Sequence, residues 1–263
     1  MDLIPSNIRS LILDMDGVLW KSEEAIGNLP TIFARIRTRG LKVVFATNNG
    51  TRTPDQYVER LAGFGVKVEP WQVLTSSLVV AHLLKKRFPA GGPIFAIGES
   101  GLIAALTEKG FTPLAVEEAE KAQAVVIGVD RQINFAKMCE ATLLVSHGVP
   151  FYATNPDKSF PTPRGIIPGA GAWFSVIVTA TNVAPVYAGK PSPALIDEAR
   201  RLLGTAKEET LVVGDRLDTD IAGGQAAGCP VAQVLSGVSS RGEGEAWRPE
   251  VDIIVEDLST LVG

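Results

Sequence analysis

Short apolar runs alternate with helical patterns along most of this chain. That alternation narrows the fold more than any other feature, because it is the sequence habit of a parallel α/β sheet, in which each strand needs a crossover before the next. Strands are expected at 11–13, 43–46, 211–213, 231–234 and 253–255. A helix is expected over 30–39, with Asn28 near its cap and Gly40 at its stop. Another begins at Thr53, with Pro54 in its first position and Gln56 completing a capping box. A second, separate alternation lies between these, with strands at 94–97, 125–128 and 151–153 and helices near 101–109 and 134–146. The stretch 155–171 is rich in Pro and Gly and reads as a long loop. The expected fold class is therefore α/β: a Rossmann-like, doubly wound parallel-sheet core made from residues 1–81 and 186–263, with a smaller α/β domain inserted at 82–185.

With 263 residues, the chain has room for one large or two modest domains. A net charge of −4 and no concentration of Lys and Arg argue against a nucleic-acid polymer or an anionic membrane as partner. Cys139 and Cys229 alone make neither a disulfide framework nor a zinc site, so a reducing compartment is expected. No apolar run approaches the ~20 residues that a bilayer requires, and the first ten residues lack the pattern of a signal peptide. The expected location is cytoplasmic, and oligomeric state, including a homo-oligomer, stays open. His82 and His147 both lie in helical-looking segments, which leaves no material for a histidine-rich metal site. Neither GxSxG nor a Walker A loop occurs, since Gly189-Lys190 runs into Pro191 and lacks the upstream Gly.

What remains is a set of acidic and phosphate-compatible motifs in a particular order. They are Asp14-Met15-Asp16-Gly17-Val18, Thr47-Asn48-Asn49, Gly189-Lys190-Pro191 and Gly214-Asp215-Arg216-Leu217-Asp218-Thr219-Asp220. Three of them directly follow an expected strand, and ligands of open parallel sheets bind outside the carboxyl ends of strands. Lys190 follows 186–188, a marginal strand. Taken singly, each motif has a bland reading: Asp-Gly is a common turn, and Asp218 with Asp220 could cap a helix. Together they gather Asp14, Asp16 and Asp215 at one rim, with Asp220 nearby. Two unit charges 4 Å apart repel by roughly 4 kcal/mol at an effective dielectric of 20, so such a cluster needs a cation. All-oxygen ligands without histidine or thiolate suggest Mg²⁺.

The same arithmetic indicates the reaction. A carboxylate that attacks a phosphate dianion meets a repulsion that Mg²⁺ and the Lys190 ammonium can offset. Thr47 and the backbone N–H groups of Asn48 and Asn49 are candidates to hold non-bridging phosphate oxygens. Asp16 can protonate the leaving oxygen and later activate water.

At these residues the chain resembles a haloacid dehalogenase-superfamily phosphatase of the NagD-like group, which includes p-nitrophenyl phosphatases. The resemblance rests on DxD at Asp14 and Asp16, Thr47-Asn48-Asn49, Gly189-Lys190-Pro191, Gly214–Asp220 and Thr154-Asn155-Pro156-Asp157 in the insert, and it spans nearly the whole chain. It implies Asp14 as nucleophile and Asp16 as general acid/base. Mg²⁺ would be held by the Asp14 carboxylate, the Asp16 backbone carbonyl and Asp215. Lys190 would steady the phosphate and the nucleophile, with Asp220 supporting the site from behind. It further implies an aspartyl-phosphate intermediate, small phosphomonoesters as substrates (nucleotide, phosphoglycolate or sugar phosphate type), and an insert that acts as a cap. The 143 positions from Thr47 to Lys190, against 33 from Asp14 to Thr47, place the cap in the later gap. Arg131, Asn155, Asp157, Lys158 and Arg164 are candidate leaving-group contacts. A phosphotransferase or mutase with the same aspartyl chemistry, or a non-enzymatic phospho-signalling module, would use similar residues.

Overall fold

The computed structural model describes residues 3–162 and 164–263. The backbone falls into two compact units. The first comprises the chain up to Thr47, Pro54–Leu74 and Lys190–Gly263, and the second comprises Asn48–Thr53 and Thr75–Gly189.

The first unit is built on a six-stranded sheet in the order Ile253–Val255, Val231–Val234, Thr210–Gly214, Ser10–Leu13, Lys42–Thr47, Val73–Thr75. The central pairings are parallel, with Leu13 opposite both Val213 and Phe45 and Gly214 opposite Gln233. Ser10–Leu13 and Thr210–Gly214 are buried at every residue, which explains why they read as continuous apolar runs and do not alternate. Helices supply the cover. In Leu29–Thr38 the buried residues Leu29, Ile32, Phe33 and Ile36 recur at helical spacing, and the Asn28 side chain caps the Thr31 N–H. Ala194–Leu203 buries Leu195, Ile196, Ala199 and Leu203 in the same way and ends at Gly204 in the left-handed region, φ +66°. Phe33 and Phe45 meet with ring centroids 5.7 Å apart, tying helix to sheet. Truncating such a core ring removes about 3–5 kcal/mol.

The second unit holds a five-stranded sheet in the order Val186–Tyr187, Phe151–Ala153, Val125–Ile127, Gly92–Ile97, Phe111–Pro113. Two segments depart from the sequence reading. Val186–Tyr187, assigned above to the core, pairs in parallel with Tyr152 and Ala153. Residues 75–81, also assigned to the core, open the helix Ser76–Arg87, whose Ser76 and Ser77 hydroxyls donate to the carbonyls of Asn48 and Gly50. The stretch 155–171 is not a structureless loop: Ser159–Thr162 and Gly165–Pro168 form an antiparallel hairpin, and the helix Ala170–Thr181 follows. No described helix is long and apolar enough to cross a membrane.

Candidate active site

The backbone sets the geometry first. Asp14 leaves the carboxyl end of the central strand, and its N–H donates to the Val213 carbonyl at 2.9 Å. The nucleophile candidate is therefore fixed to the sheet by its own main chain. Thr47 closes the adjacent strand and is buried. On the other side, Thr210–Gly214 runs into Asp215 and then into a π-helical turn, Leu217–Ile221. Wide turns of that kind often occur at functional sites. Here the turn lets the Asp220 side chain fold back, so that its Oδ2 accepts the Arg216 N–H at 3.0 Å.

These elements converge on Lys190. Its ammonium lies 2.5 Å from Asp14 Oδ1 and 2.6 Å from Asp220 Oδ1, and it also donates to the Ala46 carbonyl at 2.8 Å. Lys190 and Asp220 are both almost wholly buried, so neither charge is tolerable without the other. Burial works against the Lys190 charge, but the Asp14 and Asp220 carboxylates outweigh it and hold the ammonium protonated well above its ordinary range. Asp220 thus touches the lysine directly.

Asp215 forms the other half of the site. Its Oδ2 accepts the Val238 N–H at 2.7 Å, while its Oδ1 is buried with no hydrogen-bond partner among the described residues. Burial pushes its carboxyl up to about 7, reinforced by the charge of Asp220 and opposed by the Val238 N–H. Burial likewise raises Asp14 well above the usual carboxylate range, with Lys190 pulling against it and Asp220 and Asp215 adding to it. One oxygen from each of Asp14, Asp215 and Asp220 lies within 4.8 Å of the others. Three carboxylates against one ammonium leave an excess of negative charge, and since both Asp220 oxygens are engaged, Asp14 and the buried Asp215 oxygen are the donors left for a hard divalent cation. The protein's own residues fit such an ion.

The loop that holds Asp215 is invisible to motif reading. Residues 235–240 follow the strand Val231–Val234; the Ser239 N–H donates to the Asp215 carbonyl at 3.1 Å, and Ser239 Oγ accepts the Leu217 N–H at 3.2 Å. Ser236 Oγ donates to the Gly17 carbonyl at 2.6 Å, linking this loop to the DxDG turn. Gly17 and Gly237 crowd the Asp215 carboxylate so closely that a Cβ on either would overlap it, and Gly17 also takes φ +87°. The only sequence signals were small residues after a strand: Ser236, Gly237 and Ser239.

The remaining sequence-predicted residues are placed as follows. Asp16 is exposed, and its Oδ1 accepts the Trp20 indole N–H at 2.8 Å. Asn48 and Asn49 lie in the second unit, where their side chains are occupied: Asn48 Nδ2 donates to Asp157 at 3.1 Å, and Asn49 Oδ1 accepts the Thr51 N–H and hydroxyl. Asn155 is buried there too. Its Nδ2 donates to the Asn48 carbonyl at 2.8 Å and its Oδ1 accepts the Asp157 N–H. Arg131 is paired with Glu99 at 2.7 Å, whereas Lys158 and Arg164 are exposed.

Comparison with known proteins finds relatives along nearly the whole chain. A family model described as haloacid dehalogenase-like hydrolase matches residues 11–112, and a second, described as HAD-hydrolase-like, matches residues 187–261. An acid sugar phosphatase from Staphylococcus aureus is 37% identical over 232 residues, 88% of each chain. NagD from Escherichia coli K-12 superposes with a TM-score of 0.88 at 33% identity, covering 96% of this chain and 97% of that one. A glycerol phosphate phosphatase from Mycobacterium tuberculosis, solved in complex with magnesium, gives a TM-score of 0.90 at 33% identity, covering 97% of this chain and 76% of the other.

Proposed function

This chain belongs to the haloacid dehalogenase-like hydrolases, as a phosphoric monoester hydrolase of their NagD-like group, and from that premise we propose that it is a Mg²⁺-dependent phosphatase working through an aspartyl-phosphate on Asp14. The observation that carries the reading is the pairing of Asp14 Oδ1 with a buried Lys190, beside the unpartnered Oδ1 of Asp215. The Asp14 and Asp215 carboxylates and the Asp16 backbone carbonyl would hold the ion. When bound, Mg²⁺ supplies positive charge that offsets the repulsion between carboxylate and phosphate.

The chain's own groups divide the remaining work. Lys190 fixes the Asp14 carboxylate and adds charge where the phosphoryl oxygens come to lie. Thr47, with the N–H groups that follow it in the chain, holds non-bridging oxygens. Asp14 attacks phosphorus, the ester P–O bond breaks, and Asp16 gives its proton to the departing oxygen. Water then attacks the acyl phosphate, Asp16 takes a proton from it, and the bond from phosphorus to Asp14 breaks to release inorganic phosphate. Asp220 keeps Lys190 charged and in place throughout. Two similar proteins are named for a sugar phosphate and for glycerol phosphate, which supports a small hydroxylated alkyl phosphate as substrate.

The test is phosphate release from p-nitrophenyl phosphate and from a panel of sugar and polyol phosphates, in EDTA and in Mg²⁺. Turnover should require Mg²⁺ and vanish in Asp14→Asn, and acid quenching of the wild type should trap phosphate on Asp14. Full activity in chelator, or near-normal rates in Asp14→Asn, would overturn the reading.

A further inference from the structure

We propose that Trp20 is a positioning residue for proton transfer: its indole N–H holds the Asp16 carboxyl in one orientation and leaves Oδ2 as the atom that exchanges the proton. This inference rests on Asp16 being the general acid and base. Asp16 itself is exposed, and an exposed Asp samples several rotamers. Trp20 is its opposite, wholly buried, and its one polar atom reaches Asp16 Oδ1 at 2.8 Å. A mobile carboxyl is thus moored to a fixed ring.

The ring is held from several sides. Phe64 stacks on it with centroids 5.9 Å apart and planes 26° from parallel, and the Arg60 guanidinium lies 4.3 Å from its centroid. The main chain between the two residues is also closed: Asp16 and Trp20 form a β-bridge, the Gly17 N–H donates to the Trp20 carbonyl at 2.7 Å, and Val18 and Leu19 are buried. Both ends of the indole–carboxyl bond therefore have a fixed backbone.

The chemistry follows from the occupied lone pair. An N–H aimed at Oδ1 disfavours a proton there, so the acid's proton sits on Oδ2, which carries no hydrogen bond among the described residues. In the first half-reaction the bond from Asp14 oxygen to phosphorus forms, the ester P–O bond breaks, and the Oδ2 proton moves to the leaving oxygen to give an alcohol. In the second, the water oxygen bonds to phosphorus, its proton moves to Oδ2, and the bond from phosphorus to Asp14 breaks. Trp20 touches neither substrate nor phosphorus. It acts through Asp16.

Trp20→Phe keeps a ring and removes only the donor. An alkoxide leaving group needs the proton, while p-nitrophenolate leaves without it. In Trp20→Phe, kcat/KM for glycerol phosphate should therefore fall about five- to tenfold further than kcat/KM for p-nitrophenyl phosphate. In an Asp16→Asn background the same substitution should leave that substrate ratio unchanged. Equal losses on both substrates, or a ratio change that persists in Asp16→Asn, would reduce Trp20 to a packing role and overturn the proposal. If Asp16→Asn alone leaves the ratio unchanged, the acid assignment fails first, and the role of Trp20 with it. Should Trp20→Phe not fold, the indole N–H resonance of ¹⁵N-Trp-labelled protein serves instead. It should move upfield and exchange faster in Asp16→Ala, and an unmoved resonance would refute the mooring.

Discussion

Taking the metal-free protein from about pH 5 to about pH 8 should destabilise it, and the loss should trace to Asp215. Its carboxyl titrates at about 7 in the folded chain, against an ordinary value of 3.8, because burial and the neighbouring Asp220 disfavour its charge. Below that ordinary value, folded and unfolded states are both protonated and nothing is lost. As pH climbs, the unfolded chain releases its proton first, so stability falls until the folded group has titrated as well. The difference between the two values corresponds to about 4 kcal/mol in all, of which about 2.6 kcal/mol is lost between pH 5 and pH 8. Asp14, raised in the same direction, adds to the slope. Mg²⁺ at a hundred times its Kd should return about 2.7 kcal/mol at the alkaline end and less in acid, where protons compete for the ligands. The assay is urea unfolding in EDTA and in Mg²⁺ across this range, for wild type and Asp215→Asn. The amide keeps an acceptor for the Val238 N–H but cannot ionise, so the variant should lose the Asp215 share of the slope, keeping that of Asp14, and most of the Mg²⁺ stabilisation. A flat wild-type profile, or an Asn variant that retains the full slope, would refute the reasoning.

Lys190→Met leaves the buried Asp220 and its neighbour Asp14 without their cation, and should destabilise the metal-free protein by about 3–5 kcal/mol in urea while lowering kcat at least about a hundredfold. Unchanged unfolding would show that the ion pair is not formed. Gly17→Ala forces a left-handed φ and sets a Cβ 2.5 Å from the Asp215 carboxyl carbon, so the Mg²⁺ concentration for half-maximal turnover should rise about tenfold or more. An unaltered Mg²⁺ titration would mean that the Gly17 turn yields without moving Asp215. Asn155→Ala leaves the Asp157 N–H without its acceptor and removes one of two donors to the Asn48 carbonyl, where the Ser76 hydroxyl remains, and should lower the stability of the second unit by about 1–3 kcal/mol, read from hydrogen exchange. Retained protection at Asp157 would contradict that role.

Much of this architecture was legible because buried parallel strands are continuous apolar runs. The strands Val231–Val234, Ile253–Val255 and Phe151–Ala153 match the sequence reading residue for residue. Val186–Tyr187 was misassigned because a two-residue strand has no periodicity, and its partner in the second unit lies more than thirty residues earlier. The hairpin after Asn155 was hidden by prolines, which read as breakers although an isolated two-stranded hairpin tolerates them at its edges. In the site, the carboxylates and Lys190 were readable as residue types. The loop around Asp215 was not, because it works through the Val238 N–H and through the absence of side chains at Gly17 and Gly237. Likewise, nothing in a sequence reveals that an indole four residues downstream reaches back to Asp16.

The strand that carries Asp14 pairs Ser10 with Thr210, a partner 200 positions later, and this ordering matters for how the protein is made. During synthesis at about 5–20 residues per second, the amino-terminal strand waits roughly 10–40 s for that neighbour to leave the ribosome. All of the second unit is encoded within the interval, so its sheet can condense while Asp14 still lacks Asp215 and Asp220. The site therefore comes into being late and all at once, and a nascent chain arrested before Thr210 should hold a folded insert but no phosphatase activity.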